Sequence, residues 1–410
     1  MQLEIIGPQK LIGEIEISGS KNSALAIISA TVLIDEKIIL KKIPGVEDVF
    51  ILLKILEKLG KKVKKIAENT WEIDGEIKNF DVPFNLASKL RASIYLLGPL
   101  TARFEKARIC MPGGCSFGPR PINFHIEGLK KMGIEIKIEH GFIEAKGKPN
   151  GVSISFPKKS VGTTIHLILT SIYGKEESVF FNTAQEPEVI DCINFLKKCG
   201  AKIKFEGSDI IKIKPVEKLK SCKEYQIIPD RIEAGTYLAG AVITKGRVKV
   251  LNVDKKHIEN ILVKFQELGV QIKEGRNWVE INCLKCRDLK PLNIETAPYP
   301  GFPTDMQPQF MAILTKANGT SYIREGIYPR RFLHAYELIK MGADIDIGEG
   351  WAVVRGVEKL TGAFVDATDL RAGASLLIAG YAIGSFVVGK MVAKIGWKKS
   401  FNLVIYPFII

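Results

Sequence analysis

One signature recurs five times and limits what this chain can fold into. An amphipathic helical stretch ends at a glycine and turns at once into a short β-rich run. It reads Leu56-Glu57-Lys58-Leu59-Gly60-Lys61-Lys62-Val63, then Leu129-Lys130-Lys131-Met132-Gly133-Ile134, then Leu196-Lys197-Lys198-Cys199-Gly200-Ala201. It returns as Phe265-Gln266-Glu267-Leu268-Gly269-Val270 and as Leu338-Ile339-Lys340-Met341-Gly342-Ala343. A glycine just past a helix takes the left-handed conformation that closes the last turn. The glycines at 60, 133, 200, 269 and 342 are 73, 67, 69 and 73 residues apart. Spacing that regular implies a set of similar α/β units. A sixth unit would place its glycine near position 412, past the last residue given, and the nearest candidate is Gly396. The last repeat is therefore expected to be short or altered.

Each unit also begins alike, with a β-rich run such as Val248-Lys249-Val250-Leu251-Asn252 before a helix. Pro187 to Leu196 reads as one such helix, with proline near its start and apolar residues at helical spacing. Further helices are expected from about Ser23 to Val32, capped by Ser20 or Asn22, and from about Thr164 to Tyr173. Ala374 to Gly389 carries no charge over 16 residues, short of the roughly 20 a spanning helix needs. A buried helix followed by a strand accounts for it.

The segment least able to join a helix or strand interior is Met111-Pro112-Gly113-Gly114-Cys115-Ser116-Phe117-Gly118-Pro119-Arg120-Pro121. It is a loop with a thiol at its centre and an arginine five residues on. Glycine lets backbone amides approach a ligand, and arginine offers a planar fork to phosphate or carboxylate. An incidental cysteine in a surface loop is the plainer reading, and on composition alone the commoner one. Gly19-Ser20-Lys21-Asn22-Ser23 sets a lysine and free amides at a helix start, a place suited to anions. Arg91, in Leu90-Arg91-Ala92-Ser93, opens another apolar helix, and Pro157 to Thr164 is a basic loop entering one more. Tyr299 to Pro308 is a stiff proline-rich loop with one carboxylate, Asp305. Asp305 suits a general base, or merely caps the helix beginning near Met306. Asp230-Arg231 and Asp369-Leu370-Arg371-Ala372 echo the arginine-bearing helix starts, as if the helix N-termini met at an anionic pocket.

Lysine and arginine exceed aspartate and glutamate by 59 to 45, a net charge of +14. The lysines are scattered through amphipathic segments, without a zinc finger, RNA-binding motif or basic tail, so nucleic acid is not an expected partner. Seven cysteines in 410 residues are too sparse for a disulfide framework. Cys283-Leu284-Lys285-Cys286 lacks a second pair or a histidine cluster, so no metal is expected. No basic, apolar leader opens the chain, and a soluble cytoplasmic protein is the expectation.

Gly19 to Ser23, Pro112 to Pro121, Asp230 to Thr236, Pro300 to Gln307 and Asp369 to Ala372, in that order, resemble the UDP-N-acetylglucosamine 1-carboxyvinyltransferase family of enolpyruvyl transferases. The resemblance runs from residue 1 to about Ile383. It implies an α/β fold of two globular domains, an inside-out α/β barrel in which each domain holds three βαβαββ units with helices packed inside. Residues 21–229 would form the domain carrying the Cys115 loop, and residues 1–20 plus 230–410 a discontinuous second domain with an atypical sixth repeat. The implied reaction moves the enolpyruvyl group of phosphoenolpyruvate to the 3′-hydroxyl of UDP-N-acetylglucosamine and releases phosphate, the first committed step of peptidoglycan synthesis in the bacterial cytoplasm. By the same pattern Cys115 donates the proton, forms a covalent adduct and is the residue fosfomycin alkylates, while Asp305 takes the hydroxyl proton and also contacts the nucleotide sugar. Lys21, Asn22, Arg120 and Arg371 would hold phosphoenolpyruvate. Arg91, Arg120, Pro121, Ile122, Asn123, Phe124, Lys158, Lys159, Ser160, Val161, Ile327 and Arg331 would hold UDP-N-acetylglucosamine. No cofactor or metal is implied, and a monomer is expected.

The chain departs from the pattern at Asn123, where the family usually has Asp, and at Pro119, which stiffens the loop. From Gly384 onward it does not match the family's closing Tyr-His-Ile-Asp-Arg-Gly-Tyr-Glu stretch, whose arginine contacts phosphate. Reduced or absent activity is the expectation from that loss. A non-catalytic homologue that binds the nucleotide sugar or a partner protein, and a shikimate-pathway enolpyruvyl transferase, are the alternatives.

Overall fold

The computed structural model describes residues 3–5, 7–113, 122–286, 288–383 and 386–389. The repeat is plainest in the stretch from 293 to 355. A strand (Asn293–Thr296) leads to a buried helix (Gln307–Leu314), a second strand (Thr320–Glu325), an outer helix (Leu333–Lys340) and a hairpin (Asp344–Gly348, Trp351–Arg355). The first two strands pair in parallel, and Trp351–Arg355 pairs antiparallel with both Thr320–Glu325 and Asp344–Gly348. Burial alternates residue by residue along Thr320–Glu325, as a half-buried strand requires. The same order recurs in the sheets built on Ile38–Lys41, Ser178–Phe181 and Arg247–Leu251. In the sheet of Lys106–Cys110 the first parallel strand shrinks to a bridge between Asp81 and Arg108.

The outer helices are Glu47–Leu59, Asn123–Lys131, Pro187–Lys198, Glu259–Glu267 and Leu333–Lys340. The five signature glycines that follow them all have positive φ, from +77° at Gly133 to +116° at Gly60. That is the conformation the spacing predicts, because a side chain there would meet the following carbonyl.

The inner helices are Lys21–Ala30, Leu97–Phe104, Val161–Ser171, Arg231–Ile243, Gln307–Leu314 and Leu370–Ile383. Sheets cover them, so they are apolar on nearly every side; every residue of Gln307–Leu314 is buried. Their hydroxyls bond back into their own helices: Ser29 to the Leu25 carbonyl, Thr101 to Leu97 and Thr236 to Ile232. The first helix starts two residues earlier than expected and ends in a short 3-10 turn, Thr31–Leu33. The third covers 161–171 rather than 164–173.

The described residues divide into two compact units. One holds 19–113 and 122–228, with a core running from Ala24 to Ile227. The other holds 3–18 and 229–389, with a core that includes Ile5, Leu11 and Ile17 beside residues 232–381. Its third sheet is irregular: Val365–Asp366 pairs in parallel with Phe386–Gly389, which pairs antiparallel with Leu3–Ile5. The chain's first strand thus takes a place that the returning hairpin fills in other repeats. The uncharged run Ala374–Gly389 divides as expected into a helix ending at Ile383 and a strand. Among the described residues, no helix is long and apolar enough to cross a membrane.

Candidate active site

In the unit of 19–113 and 122–228, the residues expected at the site stand at the starts of helical segments. Ser20 caps helix Lys21–Ala30 by accepting from the Ser23 amide. Gly19 must be glycine, since a Cβ there would lie 1.8 Å from the Lys42 carbonyl oxygen. Lys21 and Asn22 therefore stand on the first turn, where the orphan amides point outward. Lys21 Nζ lies 3.0 Å from Asp48, each side chain about one-fifth exposed. Asn22 Nδ2 donates to Glu188 Oε1 at 3.3 Å. Ser23 donates to Asp191, which also accepts from the Tyr225 hydroxyl (2.6 Å) and the Ile228 amide (3.3 Å). Asp48 of helix Glu47–Leu59 thus holds Lys21, while Glu188 and Asp191 of helix Pro187–Lys198 hold Asn22 and Ser23.

Arg91 opens a 3-10 turn, Arg91–Leu96, that continues into helix Leu97–Phe104, rather than an α-helix of its own. Ile122 precedes helix Asn123–Lys131, which starts at Asn123. Lys158 Nζ sits 5.9 Å over the Phe124 ring. Ser160 caps helix Val161–Ser171 through the Thr163 amide. Lys159 pairs with Asp209 at 3.2 Å, which ties its ammonium to the neighbouring sheet. Arg91 lies close enough to His125 to oppose its protonation. Gly113, at the root of the thiol loop, would put a Cβ 1.6 Å from the Ser88 carbonyl oxygen, so only glycine lets the loop leave there. Cys115, Arg120 and Pro121 lie outside the described residues.

In the unit of 3–18 and 229–389, Asp305 is the hub. Its Oδ1 accepts from Arg331 Nη1 at 2.8 Å, and its Oδ2 accepts from Arg371 Nε and Nη2 at 3.3 Å. The Arg331 and Arg371 side chains are 2% and 7% exposed, and Asp305 is 28% exposed. Burial opposes the charge on Arg331, but Asp305 and Asp369 outweigh it and hold its pKa above the ordinary value. Asp369 Oδ1 lies 4.0 Å from Arg331 Nη2 and accepts from the Arg371 and Ala372 amides, capping helix Leu370–Ile383. Thr304 accepts from Arg331 Nη1 (3.0 Å) and donates to Glu325. Glu325, 2% exposed, accepts the Ile327 and Tyr328 amides, which sets the loop holding Ile327 and Arg331. Asp305 is not a helix cap: it lies in a 3-10 turn, Thr304–Met306, that has no side-chain cap. Two buried guanidinium groups compete for its carboxylate and win.

Glu233, on the first turn of helix Arg231–Ile243, accepts from the Ser18 hydroxyl at 3.0 Å. Burial first, and then the Asp230 carboxylate, push its carboxyl up to about 8, against Ser18 and Arg371. The folded chain keeps a proton that the unfolded chain releases near pH 4.5. Stability therefore falls as pH rises from there to the folded value and levels off beyond, by at most roughly 1.4 kcal/mol per pH unit. Glu233→Gln, which mimics the protonated acid, is expected to flatten this decline. Melting temperatures from acidic to alkaline pH measure it, and a parent-like decline in the variant would overturn the assignment.

Comparisons with known proteins give the family and the fold. Residues 5–402 match the family model described as EPSP synthase (3-phosphoshikimate 1-carboxyvinyltransferase). The chain is 47% identical over 383 residues to the UDP-N-acetylglucosamine 1-carboxyvinyltransferase of Thermotoga petrophila, covering 92% of this chain and 90% of that one. The chain belongs to the enolpyruvyl-transferase family. A relative of the same name from Kosmotoga olearia is 45% identical over 405 residues, 97% of this chain and 95% of its own. Two solved structures share the fold. The enolpyruvyl transferase NikO from Streptomyces tendae has a TM-score of 0.88 at 21% identity, covering 99% of this chain and 97% of that one. EPSP synthase from Acinetobacter baumannii has a TM-score of 0.75 at 19% identity, covering 99% and 98%.

Within this enolpyruvyl transferase, several residues at the site escaped a reading of the sequence. Glu188 stood in view as part of a helix start, and Asp369 as an echo of earlier arginine motifs. Asp48, Asp191 and Glu325 carried no local signal, because their side-chain partners lie 21 to 168 residues away.

Proposed function

We propose that this enolpyruvyl transferase moves the enolpyruvyl group of phosphoenolpyruvate to the 3′-hydroxyl of UDP-N-acetylglucosamine and releases inorganic phosphate. The observation that carries the site assignment is Asp305, a partly exposed carboxylate pinned between two buried arginines. The Asp305 side chain keeps 28% of its surface exposed, which leaves the carboxylate within reach of a substrate hydroxyl. Asp305 takes the hydroxyl proton as the oxygen bonds to carbon 2 of phosphoenolpyruvate, and Cys115 delivers a proton to carbon 3. The tetrahedral ketal then loses a proton from carbon 3 and expels phosphate, which restores the double bond. Lys21, Asn22, Arg120 and Arg371 hold phosphoenolpyruvate. Arg91, the stretch from Arg120 to Phe124, Lys158 to Val161, Ile327 and Arg331 hold the nucleotide sugar. Positive side chains aimed at the phosphoryl oxygens stabilise the charge that builds as phosphate leaves.

The test is phosphate release by the full chain. Release is expected only with both substrates present, together with a 3′-enolpyruvyl ether. Cys115→Ser is expected to slow it by roughly tenfold or more, since a serine hydroxyl is a poorer acid than a thiol. A melting shift with UDP-N-acetylglucosamine but no phosphate release would leave a binding protein, and turnover with shikimate 3-phosphate would reassign the acceptor.

A further inference from the structure

Beneath the nucleotide-contact segments lies a pair of histidines that the reaction does not use. His166 is fully buried and His125 is 6% exposed. The two rings pack with centroids 5.2 Å apart and tilted by 41°. The Gly98 amide, an orphan donor on the first turn of helix Leu97–Phe104, donates to His166 Nε2 at 2.9 Å. That nitrogen must carry a lone pair, so the His166 proton sits on Nδ1. His166 Nδ1 faces His125 Nδ1 at 3.1 Å. One of two facing nitrogens has to donate and the other accept, so His125 accepts and keeps its own proton on Nε2. Burial pushes His166 down to about 3 and His125 well below its ordinary value, the latter helped by His166 and Arg91. Both rings are neutral at pH 7, and the order of donors along the chain is fixed.

This chain of bonds joins three helices, Leu97–Phe104, Asn123–Lys131 and Val161–Ser171. His125 is two residues past Asn123 and adjoins Phe124. Its ring supports Gly162, where an added Cβ would lie 3.3 Å from Cε1 and Nε2 and 3.6 Å from the Tyr95 hydroxyl. Gly162 directly follows Ser160 and Val161. Gly98 is closed to larger residues, since a Cβ would meet Thr170 Oγ1 at 1.8 Å and His166 Nε2 at 2.8 Å. The helices therefore cannot slide without breaking the bonds.

We propose that His166 is a positioning residue that, through His125, sets the spacing between the 122–124 and 158–161 segments and so governs affinity for the nucleotide sugar. The proposal rests on the reading of those segments as the nucleotide-sugar site. His166→Leu fills much of the space but breaks the chain, leaving the Gly98 amide and His125 Nδ1 without their partner. His166→Gln can still accept from Gly98 and donate to His125.

The experiment measures calorimetric affinity for UDP-N-acetylglucosamine and steady-state kinetics in the full-length parent and both variants. His166→Leu is expected to weaken binding and raise KM by about tenfold with kcat within about threefold, the pattern of lost ground-state binding. His166→Gln is expected to bind as the parent does. A Leu variant with parental affinity, or a Gln variant as weak as Leu, overturns the proposal. Absence of parental affinity for the nucleotide sugar overturns the functional reading instead. Should the Leu variant fail to fold, nitrogen-15 spectra of the parent, which has five histidines, still decide. His166 protonated on Nδ1 and His125 on Nε2 supports the chain of bonds, and any other pairing overturns it.

Discussion

Asp305→Asn is expected to lower kcat by roughly 100- to 10,000-fold, the usual worth of a positioned general base. The substitution keeps volume and planarity but removes the charge and the acceptor capacity of one atom. Both carboxylate oxygens are in use, Oδ1 by Arg331 and Oδ2 by Arg371. An amide nitrogen in either place would face a guanidinium donor to donor, so the side chain would turn as well as lose basicity. KM for the nucleotide sugar is expected to move far less, because the segments around Asn123 and Ser160 are untouched. Stopped-time phosphate assays at saturating substrates check this, with circular dichroism to confirm folding. Turnover within tenfold of the parent would remove Asp305 from the role of base.

Arg331→Leu is expected to destabilise the unit of 3–18 and 229–389 by about 3 kcal/mol, the lower end of the cost of breaking a buried ion pair. The guanidinium is 2% exposed and neutralises Asp305 while adjoining Asp369, whose side chain is 4% exposed. Leucine supplies apolar contact but leaves the second carboxylate dependent on helix amides alone. The loss is moderated because Asp305 retains Arg371 and is partly hydrated. For a body of about 200 residues this corresponds to a fall in melting temperature of roughly 6–12 °C. Calorimetry checks it. The double variant Arg331→Leu with Asp369→Asn should recover part of the loss, because the carboxylate left without its guanidinium is then uncharged. A single variant melting with the parent would mean that the pair contributes nothing net.

The fold was legible wherever its cause is local. A glycine after a helix, a proline at a helix start and alternating burial along a strand act within a few residues, so five repeats and a buried helix after Leu370 could be read off the chain. The sixth sheet could not. Its antiparallel strand comes from Leu3–Ile5, some 380 residues before the strand it pairs with. Motif resemblance pointed to Lys21, Asn22, Arg91, Asp305, Arg331 and Arg371. It did not say what holds them.

Those partners are matters of tertiary structure. Asp48 reaches Lys21 across 27 residues, Glu188 reaches Asn22 across 166, and Arg371 reaches Asp305 across 66. The two histidines stand 41 residues apart and depend for their tautomers on the Gly98 amide. The sequence by itself determined the repeating α/β units and the buried inner helices, because propensity, capping and apolar periodicity are short-range. Only the packed structure decided that Asp305 is an arginine-clamped carboxylate rather than a helix cap. That choice is electrostatic, made by two buried cations that distant parts of the chain bring to one carboxylate.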